Sequence, residues 1–148
     1  MANQIIRWFY AEAKGNVAPC HLSFATEVPN ETVDLPFDPK EYSAVLSLLQ
    51  DPRSAFWDPA TRTFSTNDAG DPIPAASPNV PNFRINWYLL FWRTNDHKGA
   101  IVLHGEGQTL VLDSLDPNPF NAYVQTLRTG QTAYWRNLTI TTSRGAVP

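Results

Sequence analysis

The sequence predicts an α+β fold, a mostly antiparallel β-sheet of about seven strands with two helices packed on it. Three observations carry this. Runs rich in β-branched and aromatic residues recur at short intervals, punctuated by Gly, Pro, Asn and Asp. Two segments, at about 39–50 and 118–129, switch to helical spacing behind Asp-Pro and Asn-Pro starts. Residues 83–113 hold apolar runs joined by tight turns, the pattern of an antiparallel meander.

The elements follow in order. QIIRWFYAEA at 4–13 has strand composition. Gly15-Asn16 makes a turn, and VAPCHLSFA at 17–25 returns, with Pro19 placing that strand at an edge or a bulge. In DPKEYSAVLSLLQ, Asp38 is an N-cap, Pro39 fits the first helical position, and Glu41 stands where a capping box needs an acid. Tyr42, Val45, Leu46 and Leu49 give this helix its apolar face, and Asp51-Pro52 ends it. AFWDPATRTFS at 55–65 reads as a short hairpin turning at Asp58-Pro59-Ala60-Thr61.

Residues 66–82, with Pro72, Pro74, Pro78 and Pro81, form a long loop. It is either an irregular connection or an extended arm that lies on a partner. FRINWYLLFWR at 83–93 then reads as one apolar strand covered on both faces. GAIVLH at 99–104 and QTLVLD at 108–113 complete the meander. In NPFNAYVQTLRT, Asn118 or Asp116 caps the helix and Pro119 takes its first position. Phe120, Tyr123, Val124 and Leu127 form the apolar stripe, and Gly130 stops the helix. AYWRNLTITTS at 133–143 reads as a last strand.

Length and composition bound the function. A chain of 148 residues is the size of one domain, 1–148, and 43% hydrophobic residues suffice for a core without staples. Charged residues make up only 17%, the net charge is −3 and the Lys and Arg are scattered, so nucleic acid is not an expected partner. No apolar run reaches the roughly 18 residues of a membrane span. MANQIIRWFYAEAKG lacks the basic and apolar regions of a signal peptide, so the expected location is the cytoplasm or a virion. The one cysteine, Cys20, and three scattered histidines make neither an internal disulfide nor a zinc set, and no cofactor is expected. Gly-rich phosphate loops, HExxH, CxxC and GxSxG are absent from the sequence.

One stretch resembles a known family. Pro81, Asn86-Trp87, a hairpin and a strand closing on Asp113-Ser114-Leu115 before a helix follow the order found in the middle of Ulp1- and adenain-type cysteine peptidases. The resemblance covers about residues 80–148. It implies that Asn86 occupies the place of the catalytic histidine and Asp113 that of the triad acid. Asn86 cannot take up a proton near neutral pH. The family's downstream glutamine and nucleophilic cysteine have no counterpart here, and Cys20 precedes the acid instead of following it. The resemblance therefore implies an inactive or truncated relative acting by binding, with Cys20, Asn86 and Asp113 as the residues to test.

The residues themselves supply plainer roles. Asp113, with Ser114 and Asp116, precedes a helix whose unpaired N–H groups favour acids. Cys20 and His21 are adjacent, so a strand points them to opposite faces. His97 falls in a solvated turn, and His104 at a strand end reads as structural.

Aromatic residues, at 12%, are the remaining resource. Trp8, Phe9, Tyr10, Trp87, Tyr88, Phe91 and Trp92 lie on expected strands, either filling a two-sided core or anchoring an interface. Trp57 and Trp135 are the expected exposed pair. With Pro72, Pro74 and Pro78 they make the candidate interface. The expected function is that of a non-enzymatic structural or assembly protein, most concretely a small virion component such as a phage decoration, connector or tail protein. Its partners are proteins, through self-association or a larger assembly. A carbohydrate-binding module is a further alternative, requiring two coplanar exposed aromatics such as Trp57 with Trp135.

Overall fold

The computed structural model describes residues 3–13, 20–28, 31–67 and 80–143. Among these lie eleven strands and two helices, so the α+β class holds with more strands than the composition suggests. They are β1 (Gln4–Glu12), β2 (Cys20–Thr26), β3 (Thr32–Phe37), α1 (Pro39–Leu49), β4 (Phe56–Asp58), β5 (Thr63–Ser65) and β6 (Phe83–Ile85). There follow β7 (Trp87–Arg93), β8 (Lys98–Gly105), β9 (Gln108–Leu115), α2 (Pro117–Leu127), β10 (Ala133–Arg136) and β11 (Thr139–Thr142). Eight strands form an antiparallel sheet ordered β3-β2-β1-β4-β5-β7-β8-β9, and three form a second sheet ordered β11-β10-β6.

Three strands depart from the sequence reading. β3 is an additional strand that the sequence reading did not assign; it is the sheet's outer edge, the place where a strand tolerates a proline such as Pro36. The run FRINWYLLFWR is two strands. Asn86 breaks it, sending β6 to β10 and β7 to β5 and β8. The backbone N–H of Asn86 donates to the carbonyl of His104 at 2.7 Å, which brings β6 against the end of β8. Gly105 permits that approach, since any Cβ there would run into the Arg84 carbonyl. Finally, AYWRNLTITTS is a hairpin. Asn137 and Leu138, at φ +53° and +62°, supply the two left-handed residues of its turn, a role usually taken by Asn-Gly.

Both helices start at proline, at Pro39 in α1 and at Pro117 in α2, two residues earlier than Pro119. Asp38 caps α1 by accepting the N–H of Glu41 at 2.8 Å. The Glu41 side chain does not reciprocate the cap. It turns inward, and the buried residues of α1 are Glu41, Ala44, Val45, Ser47, Leu48 and Leu49, so Val45 and Leu49 are covered as the spacing predicts while Tyr42 and Leu46 are only partly covered. Asp116 stands at the N-cap of α2 without a capping bond, its carboxylate engaged by Lys98. Phe120, Val124 and Leu127 are the buried side of α2, as the spacing predicts, while Tyr123 of the same stripe is only partly covered. Ser47 and Asn121 join the helices through a 2.6 Å hydrogen bond.

The main core lies between the helices and the sheets and draws on β2, β3, β4, β5, β7, β8 and the small sheet. Phe24, Trp57 and Phe64 meet at its centre with ring centroids 4.7–5.2 Å apart. On the other face of the large sheet, Phe91, Ala100, Val102 and Val111 form a second buried cluster.

Candidate interaction site

β1 is the seam of the large sheet. On one side Gln4 and Ile5 pair with Trp57 and Phe56 of β4, and the N–H of Ile6 donates to the Ala55 carbonyl at 2.9 Å. On the other side the strand pairs with β2 out to Glu12 opposite His21. Beyond Ile6 no described strand pairs with β1 on its β4 side. Arg7–Ala11 therefore carries one open backbone edge among the described residues.

A bulge sets what this edge displays. Ile6 lies opposite Thr26 and Trp8 opposite Ala25, leaving Arg7 as the extra residue. The inserted residue changes the parity of everything after it. Trp8 and Tyr10 thereby share a face with Ala25 and Ser23, while Phe9 and Ala11 share the core face with Phe24 and Leu22. Trp8 is 50%, Phe9 41% and Tyr10 59% exposed, so both faces of the strand show aromatic surface.

Phe9 is on the core side and still uncovered because a cleft of about 400 Å³ opens there. Ile6, Arg7 and Phe9 form one wall of it, and Leu49, Arg53 and Ala55 the other. The second wall is fixed by ion pairing. Arg53 donates to Asp51 through Nε at 2.7 Å and lies 4.6 Å over the Tyr88 ring. Arg128 reaches the same carboxylate at 3.3 Å from the end of α2. Burial pushes the Asp51 carboxyl up, but the hydrogen bonds and charge of Arg53 and Arg128 outweigh it and hold the carboxyl below the usual range.

This arrangement can do one thing directly. An open strand edge presents N–H and C=O groups in the spacing of a β-ladder, and flanking apolar side chains add contact area. Those are the requirements for adding a strand from another chain.

The residues singled out from the sequence fall elsewhere. Trp57 and Trp135 are buried, at 2% and 6% exposure, which corrects the expectation of an exposed pair. The short hairpin of Trp57 sits mid-sheet between β1 and β7, and Trp135 faces the core from the small sheet. The two cannot form an exposed coplanar platform. Pro72, Pro74 and Pro78 lie outside the described residues.

Asn86 lines a separate cleft of about 330 Å³ with Tyr88, Leu127 and Ala133, on the helix side. Asp113 instead accepts a 2.8 Å hydrogen bond from Arg93, a residue that alternates with the inward Trp92 and so faces away from the helices. Asn86 and Asp113 do not share a cleft. Burial pushes Asp113 up, but the Arg93 guanidinium and the Ser114 N–H prevail and lower its pKa. Asp113 is not at the helix start, because β9 continues to Leu115. Cys20 is buried at 2% exposure on β2, opposite Phe37.

His104 stacks on Trp87 with centroids 3.7 Å apart, and its Nδ1 is 3.1 Å from Thr109 Oγ1. Burial lowers its pKa. His97 is not simply solvated, for its Nδ1 lies 2.9 Å from Glu41.

Sequence reasoning placed Trp8, Phe9 and Tyr10 on a strand and left core and interface both open for them, while preferring Trp57 and Trp135 for exposure. A signal was present: three consecutive aromatics cannot all face one core, since neighbours on a strand point to opposite faces.

The chain matches no protein-family model, no curated protein and no solved structure.

Proposed function

We propose that the chain is a non-enzymatic assembly protein that docks an extended strand of a protein partner along the open edge of β1, in the setting of a small virion component. The observation that carries the reading is Trp8-Phe9-Tyr10, half-exposed on both faces of a strand whose backbone edge is unpaired among the described residues. An exposed apolar edge is a template for intermolecular pairing, and natural proteins blunt such edges with charge or proline unless they use them. Between Trp8 and Ala11 this one carries neither. The acids that a catalytic reading would recruit have structural partners: Asp113 holds Arg93, Asp51 holds Arg53 and Arg128, and Glu41 holds Trp92.

The test is selection of short peptides from a random displayed library on the wild-type chain, with Phe9→Lys as the counter-target. Peptides of alternating apolar character that bind wild type and lose at least tenfold on Phe9→Lys support strand docking. A library that yields no peptide able to tell the two apart contradicts it.

A further inference from the structure

We infer that the strand docked on β1 is the C-terminal strand of a partner protein, running antiparallel to β1 with its free carboxylate between Arg7 and Arg53. The inference rests on the docking reading above and names the chemistry of the partner.

The open edge is a slot closed at one end. β4 pairs with Gln4 and Ile5, and the Ala55 carbonyl takes the N–H of Ile6. A strand laid along Trp8–Ala11 meets Ala55 and Ser54 at that end and goes no further in the plane of the sheet. The incoming chain therefore turns away or ends there. The groups at the closed end decide between the two. Both charged side chains lining the cleft are cations, and its polar side chains, Arg7, Trp8, Arg53 and Ser54, can all donate. Arg7 is exposed and has no ion-pair partner among the described residues. Arg53 shares the single carboxylate of Asp51 with Arg128, so this wall keeps an excess of positive charge. Arg53 also donates to the Tyr88 carbonyl, which holds its guanidinium in place. Such a set calls for an anion built of acceptors. A chain terminus supplies one at the point where the strand must stop.

Charge also fixes the direction. A strand starting here and running parallel to β1 would bring its N-terminal ammonium against two guanidiniums. A strand ending here runs antiparallel and brings its carboxylate. It also continues a sheet whose strand pairs are all antiparallel. The rest of the lining, Ile6, Phe9, Leu49 and Ala55, is apolar, so the partner's last side chain is apolar too.

The probe is a random short-peptide library anchored through its N-termini, made once with free C-terminal acids and once with C-terminal amides. Free acids with an apolar last residue are expected to bind, and their matched amides to lose about tenfold, the scale of a hydrogen bond to a charged group. Arg7→Gln should weaken the free acids by about fivefold, as for an exposed ion pair, and narrow the gap between acid and amide by the same factor. Acids and amides that bind alike, yet are lost on Phe9→Lys, would overturn the terminal carboxylate and leave strand docking standing. Bound peptides that share an internal Asp or Glu and tolerate amidation would put a side-chain carboxylate in the cleft, which also overturns it. Dimers of the wild-type chain in native mass spectrometry that no free-acid peptide displaces would place a second copy on the edge instead. A library that binds in neither form would overturn both readings.

Discussion

Glu41 accepts the indole N–H of Trp92 at 2.9 Å, joining the first turn of α1 to the end of β7. The carboxylate is buried, and His97 approaches it from the turn before β8. A single side chain thus ties a helix to a strand and a turn that lie more than fifty residues further along the sequence.

Replacing Glu41 by Ala leaves the Trp92 N–H buried without its acceptor. Leaving a buried donor unsatisfied costs about 1–3 kcal/mol. Glu41→Gln keeps an oxygen in place and should cost less. Urea unfolding of the two variants checks the order, and equal losses would show that the bond to Trp92 is not what Glu41 contributes.

The Asp51 cluster makes stability depend on acid. Its folded pKa is below the unfolded value, so the unfolded chain binds more protons in the interval between them. The contribution of Asp51 is therefore complete above its unfolded pKa of about 3.9 and is lost as pH falls through the lower folded value. Asp51→Asn should cost about 3 kcal/mol at neutral pH, because it leaves Arg53 and Arg128 without their shared counter-charge. Its stability should also fall less steeply below about pH 4 than that of the wild type. Denaturant titrations at pH 7 and at acid pH measure both effects.

Gly99 lies where Trp92 of the core meets Phe120 of α2, ring centroids 5.1 Å apart. A methyl group there would collide with both rings. Gly99→Ala should destabilise by about 1–3 kcal/mol through overpacking. Thermal unfolding reads the loss, and an unchanged midpoint would mean that α2 can shift away from the sheet.

Leu138 offers a change in the other direction. It is 83% exposed and held at φ +62°, so its side chain packs on little and its backbone is strained. Leu138→Gly supplies the Asn-Gly turn that such hairpins prefer and should stabilise by about 1 kcal/mol. An upward shift in the unfolding midpoint is the expected outcome.

The fold class, both helices and the meander were legible because each rests on local patterns. Asp38-Pro39 signals a helix start whatever surrounds it, and Phe120, Val124 and Leu127 keep their spacing when packed. What depended on distant partners was not legible. The split at Asn86 leaves both halves apolar, so composition does not change across it. The turn at Asn137-Leu138 lacks its usual glycine. Trp57 was misplaced because a three-residue strand looks peripheral until its neighbours are known. The bulge at Arg7 is the decisive case. It turns Trp8 and Tyr10 outward, and nothing in QIIRWFYAEA except three adjacent aromatics announces it.

The first measurement to make is amide hydrogen exchange across Arg7–Ala11, in the free protein and with a saturating library-selected peptide. In the free protein, amides on the open edge should exchange quickly while those of β2 stay protected. Binding should slow alternate amides of β1, as one new ladder satisfies every second residue. Exchange through β1 that is already slow in the free protein, or unchanged by the peptide, would contradict strand docking at this edge.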